Sequence, residues 1–193
     1  MKKARLILSA LIVITALTAF TTLSGAWKND APHSQLGFTV THLGVSDVSG
    51  TFNDFEVTVN SEKENFSDAV FELTAKVASI DTRIEARDNH LKSADFFDAE
   101  KYPTIHFKSK SIKKSGKNKY KLTGDLTMHG ITKSVTMDLK YRGTVVNAMS
   151  QKPTAGFQLS GTIKRSDFGI GPKFPAPMIS DEVRILADGE FVR

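Results

Sequence analysis

The chain has 193 residues, with 26 Lys and Arg against 21 Asp and Glu, and no cysteine. The missing cysteines exclude disulfides, thiolate metal centres, thiol nucleophiles and a lipidated cysteine. Three of the five net positive charges, Lys2, Lys3 and Arg5, fall in the first five residues, so the remainder is only weakly basic and gives no argument for nucleic-acid binding.

Residues 1–26 read as an export signal. A basic start precedes an apolar stretch from Leu6 to Phe20, and Ser24-Gly25-Ala26 supplies the small residues of a cleavage site before Trp27. The apolar stretch falls short of the ~20 residues of a spanning helix, so an uncleaved anchor is the weaker alternative. Cleavage after Ala26 leaves 27–193 as a single periplasmic domain, whose core must hold the fold without disulfides.

From there the chain alternates apolar and polar residues, the pattern of strands with one buried face. The first predicted strand carries Leu36, Phe38 and Val40. The second runs from about Thr51 to Val59 and slips phase near Phe52, which suggests a bulge. The third carries Phe71, Leu73 and Ala75. A helix is predicted over 82–92, with Asp81 as its N-cap, and Tyr102-Pro103 then launches the fourth strand with Ile105 and Phe107. The fifth carries Leu122 and Leu126, the sixth Val135, Met137 and Leu139, the seventh Phe157, Leu159 and Ile163, and the eighth Val183, Ile185, Ala187 and Phe191. The Lys-rich stretch 108–121 reads as a solvated hairpin. The predicted fold is all-β: an eight-stranded antiparallel barrel with one short helix between the third and fourth strands. Closure removes exposed edges; a two-sheet sandwich is the alternative.

Several segments exceed what alternation requires. They are Trp27…Asp30…His33-Ser34, the run from His42 to Phe52, Ser79-Ile80-Asp81-Thr82, the run from Arg87 to Asp98, Lys101 to Phe107, Thr123 to Lys133, and Arg165 to Ile170. Together they resemble the YceI-like family over essentially the whole of 27–193. Met128 departs from the smaller or β-branched residue expected there, a matter of packing. The resemblance implies a lipocalin-like barrel that binds polyisoprenoids or other long-chain amphiphiles. It brings no catalytic residues.

In a simple meander, four connections share one rim, and those four hold nearly all the motif segments. The opposite connections, 60–68, 113–118 and 143–154, read as ordinary polar loops. The inward set, Phe38, Val40, Phe71, Leu73, Ile105, Phe107, Leu122, Leu126, Val135, Met137, Leu139, Phe157, Leu159 and Ile163, is the candidate tail site. Gly124, Gly161 and Gly189 share its phase, and their missing side chains suggest channel volume. Carrying the phase to the rim brings in His42, Lys133 and Arg165, with Arg87 and Lys92 on the helix. These five are candidates for an anionic or polar head group. The competing reading pairs Arg165 with Asp167 or Asp95 and gives His42 and His129 to loop backbone. Phe96, Phe97, Phe168 and Phe174 plug or line the rim.

The five histidines form no metal motif, and neither a nucleophile elbow nor a phosphate loop occurs. The expectation is therefore a non-enzymatic carrier without cofactor or metal, whose partners are an isoprenoid or similar lipid and, transiently, a membrane. A strand-one or strand-eight edge is the surface on which a homodimer would form. A stress-related structural or interaction protein with a filled core is the alternative.

Overall fold

The computed structural model describes residues 26–193; residues 1–25, and with them almost all of the export-signal reading, lie outside the described residues. The elements are β1 (Trp27–His42), β2 (Ser46–Phe52), β3 (Phe55–Asn60), β4 (Val70–Lys76), β5 (Ile80–Asp81), α1 (Glu85–Lys92), β6 (Thr104–Gly116), β7 (Lys119–Met128), β8 (Ile131–Val146), β9 (Pro153–Lys164) and β10 (Glu182–Val192). Pairing runs antiparallel through β1, β3, β4, β6, β7, β8, β9 and β10, and β10 returns to β1. That ring is a closed eight-stranded barrel, and the sandwich is excluded. Closure also pairs the two strand edges on which the homodimer expectation rested.

The phase slip near Phe52 is a full interruption at Asn53-Asp54. β2 pairs with the second half of β1, β3 with its first two residues, and together they make one bent strand. The short β5 extends the sheet beside β2. β6 and β8 are longer than predicted, so the opposite connections shrink to 117–118 and 147–152.

The helix begins three residues late. Arg83 sits at φ 67 and its amide donates to Asp81 Oδ1 at 2.7 Å, so Asp81 closes a local turn and caps nothing. A left-handed residue cannot continue a right-handed helix. The helix therefore starts at Glu85, after an extended Ile84.

The 61–69 connection is not an ordinary polar loop. It inserts Phe66, only 2% exposed, into that end of the barrel. The ring lies 5.4 Å from Trp27, 5.0 Å from Tyr141 and 4.9 Å from Phe157. Tyr120 Oη donates to Asn65 O at 2.7 Å and pins the loop. Asp68 accepts from Ser61 Oγ at 2.5 Å and from the Glu62 amide at 3.1 Å. The polar residues are the loop's framework, and Phe66 is its plug. Phe66→Ala is expected to cost ~3–5 kcal/mol, measured by urea unfolding, whereas the exposed Lys113→Ala should stay within about 0.5 kcal/mol.

Candidate functional site

With that end plugged, the barrel encloses a cavity of about 510 Å³ that reaches the motif-rich rim. This lies in the range of small-molecule sites. The wall is almost wholly apolar, because the inward positions of all eight strands alternate in phase. All fourteen candidate tail residues stand on it. Their burial is uneven: Leu122 and Leu139 are packed away, while Phe38, Val40, Leu73, Phe107, Val135 and Leu159 are only half-buried, which is what an unfilled lumen gives them.

The glycines do not create this volume. A Cβ on Gly124 would meet the Phe107 ring at 2.6 Å, and one on Gly161 would collide with Met137 Sδ. One on Gly189 would meet Ser34 Oγ at 2.7 Å. Neighbouring side chains already occupy these spaces, so the glycines admit bulky neighbours rather than leave a channel.

The four motif-bearing connections do meet at one rim. The Leu43 amide donates to Met178 O at 3.1 Å, the Ser180 amide to Thr41 O at 2.9 Å, and His42 bridges to Ile179. The His129 ring bonds Phe168 O at 3.0 Å and packs edge-on against Tyr102. Phe96 stacks on Phe174 at 4.8 Å, and both rings touch His90. Phe96, Phe97 and Phe174 line the cavity, whereas Phe168, 1% exposed, is core.

The five head-group candidates separate. His42 and Arg87 line the mouth. Lys92 is half-buried on α1 away from the cavity, and Lys133 lies in a shallow outer depression between β8 and β9 with Asp167 and Glu182. Arg165 also borders the cavity, but its guanidinium is fully engaged. Nε donates to Ser180 O at 3.1 Å, Nη1 to Ile170 O at 2.9 Å and Gly171 O at 2.7 Å, and Nη2 to Phe174 O and to Ile179 O at 3.1 Å. All five N–H groups meet carbonyls, and neither Asp167 nor Asp95 pairs with it. Asp95 instead takes Lys173 at 2.7 Å and His90 at 3.4 Å. Gly171, at φ 63, stands where a Cβ would fall 3.2 Å from Arg165 Nη1 and 2.8 Å from Phe96, so only glycine fits.

Among the described residues, Arg87 is the cavity-lining guanidinium that is not saturated by protein acceptors. Its Nε and Nη2 donate to Thr82 Oγ1 and O, each at 2.7 Å, and Thr82 in turn donates to Asp88 at 2.5 Å. The chain Asp88–Thr82–Arg87 fixes the side chain and leaves Nη1 without a protein acceptor among the described residues.

A closed antiparallel barrel, plugged at one end and hollow and apolar towards the other, defines a lipocalin-like fold. The YceI-like domain model matches residues 27–191, and the chain belongs to that family. The UPF0312 protein plu2095 of Photorhabdus laumondii is 39% identical over 183 residues, covering 92% of this chain and 91% of its own. Burkholderia cenocepacia BcnA superposes with TM-score 0.75 at 27% identity, covering 86% of this chain and 99% of its own. A polyisoprenoid binding domain from Saccharophagus degradans superposes with TM-score 0.69 over 86% of this chain and 98% of its own; at 15% identity it shows the shared fold.

Two outcomes follow from the loop. Arg165→Met should destabilise the protein by about 2–4 kcal/mol, the cost of one or two buried carbonyls left unmet, and should open 170–180 to limited proteolysis. Burial raises the Asp181 carboxyl, but hydrogen bonds from Ser166 Oγ and N, with Arg165 and Lys164 nearby, hold it below its ordinary 3.8. Its stabilising contribution is therefore complete above that value and is lost as pH falls through the lower folded value. Acid unfolding of Asp181→Asn should lack this component.

Proposed function

We propose that the protein is a non-catalytic carrier for a long-chain amphiphile, a polyisoprenoid of the prenyl phosphate or quinone type, working in the periplasm after removal of residues 1–26. One observation carries the reading: a hollow apolar shaft closed at one end by Phe66 and reached from a rim where Arg87 is held in place with Nη1 unclaimed among the described residues. Area burial along the tail supplies affinity, at roughly 25 cal/mol per Å². The head group lies at the mouth, where Arg87 Nη1 and His42 are placed to receive it; Arg165 holds the loop instead. The polyisoprenoid binding domain of S. degradans, sharing the fold, supports the ligand class. Leu43, Val45, Ile84 and Met178 stand exposed on the mouth-side connections and suit a brief contact with a lipid surface during loading. The half-buried inward side chains weigh against the filled-core structural protein.

The test is occupancy. Lipid extracted from freshly purified protein should contain a long-chain isoprenoid. Ile185→Trp, which fills the lumen, should weaken binding of prenyl ligands at least tenfold while the protein stays folded. Undiminished binding in that variant would place the site outside the barrel. Arg87→Ala should weaken a prenyl diphosphate more than the matching alcohol.

A further inference from the structure

The seam that closes the barrel contains one large irregularity. β1 pairs with β10 at Lys28–Val192 and Asn29–Phe191, and pairing resumes only at Ser34–Gly189. Four residues of β1, Asp30 to His33, thus stand opposite the single Glu190. Pro32 suits that stretch, since it leaves the ladder and needs no amide donor. The excursion brings Asp30 and His33 over the outer face of β10 beside Glu190. One ligand atom from each of the three side chains lies within 4.8 Å of the other two. His33 Nδ1 and Asp30 Oδ2 already sit 2.7 Å apart. Asp30 and Glu190 are half-buried, and His33 is exposed.

We propose that Asp30, His33 and Glu190 form a divalent transition-metal site that staples the first strand to the last. The donor set of one imidazole nitrogen and two carboxylate oxygens suits Zn²⁺, with Cu²⁺ or Ni²⁺ as competitors, rather than the all-oxygen shells of Ca²⁺ or Mg²⁺. Bonds of about 2.0–2.2 Å put tetrahedral ligand atoms roughly 3.3 Å apart. The observed grouping, within 4.8 Å, has to tighten by somewhat more than ~1 Å at its widest to reach that spacing. Three protein ligands leave the fourth position to water. The ion ties β1 to β10 across the stretch where their ladder is missing. Ser34 and Gly189, the immediate neighbours of two ligands, line the cavity. The staple therefore firms the lumen wall where the closing seam is interrupted. It does not depend on which molecule the lumen holds.

Zn²⁺ titration of the untagged, chelator-treated protein by calorimetry, with thermal unfolding in parallel, tests the site. One Zn²⁺ per chain is expected, with unfolding displaced upward; at 100 times Kd the folding equilibrium shifts ~100-fold. His33→Ala and Glu190→Gln should each weaken binding at least tenfold and abolish the displacement, whereas His106→Ala should change neither. His33 is exposed, and both variants should match the parent's urea midpoint without metal to within experimental error. Absence of saturable binding overturns the proposal. So does binding that survives both variants, which marks an adventitious ion only. Binding lost in the variants but without effect on unfolding overturns the staple.

Discussion

The rim of this barrel depends on one buried cation. Arg165 follows the last residue of β9, and its planar guanidinium points five donors in fixed directions. Each meets a carbonyl from Ile170, Gly171, Phe174, Ile179 or Ser180. The segment they belong to has no ladder or helix of its own; Gly171 O also takes the Phe174 amide at 3.0 Å, and the Arg165 donors serve the remaining carbonyls beside an apolar lumen, where each one left buried and unmet costs about 1–3 kcal/mol. The cation in turn is desolvated, and carbonyl dipoles take the place of its hydration, with Asp181 nearby. One side chain thereby sets the position of Phe174, Met178 and Ile179, and hence of the mouth.

The same corner explains why the wall is uneven. β8 and β9 pair only from Asp138–Ser160 towards their hairpin. Beyond that point Ile131–Met137 and Gly161–Lys164 diverge, and the turn 165–168 packs into the wedge with Phe168 at its base. Met137 reaches across to the bare backbone of Gly161. The divergence carries Lys133 outward, although its strand phase is that of Val135 and Met137.

Strand phase made the barrel wall legible from the chain alone. A period of two is a local property, and it placed Phe38, Leu73, Phe107, Met137 and Leu159 on one surface without knowledge of which strands pair. Phase says nothing about ends. Phe66 lies among Asn, Ser, Asp and Glu, and only the ring contacts to Trp27 and Phe157, distant in sequence, reveal it as a plug. A lone aromatic within a polar connection was the available signal. The same limit applies to Arg165. Phase directed it inward correctly, but its acceptors are main-chain carbonyls, which no residue pattern names. The late start of α1 was hidden for a related reason: Asp81 is a good cap by type, and the conformation of Arg83 decides that it closes a turn instead.

The contrast between the two mouth arginines orders the chemistry of the site. Arg165 and Arg87 both border the lumen, so proximity alone does not separate a structural cation from a binding one. Hydrogen-bond saturation does. Arg165 has no donor left, and an incoming anion would have to displace a carbonyl already held in place. Arg87 keeps its orientation through Thr82 and Asp88 while Nη1 stays unclaimed, so it can accept a new partner without breaking an old one. An apolar shaft gains affinity in proportion to the chain it buries and discriminates poorly between chains of similar width. On the carrier reading, discrimination between ligands therefore falls to the mouth, and at the mouth to the residue whose position is fixed and whose valence is incomplete.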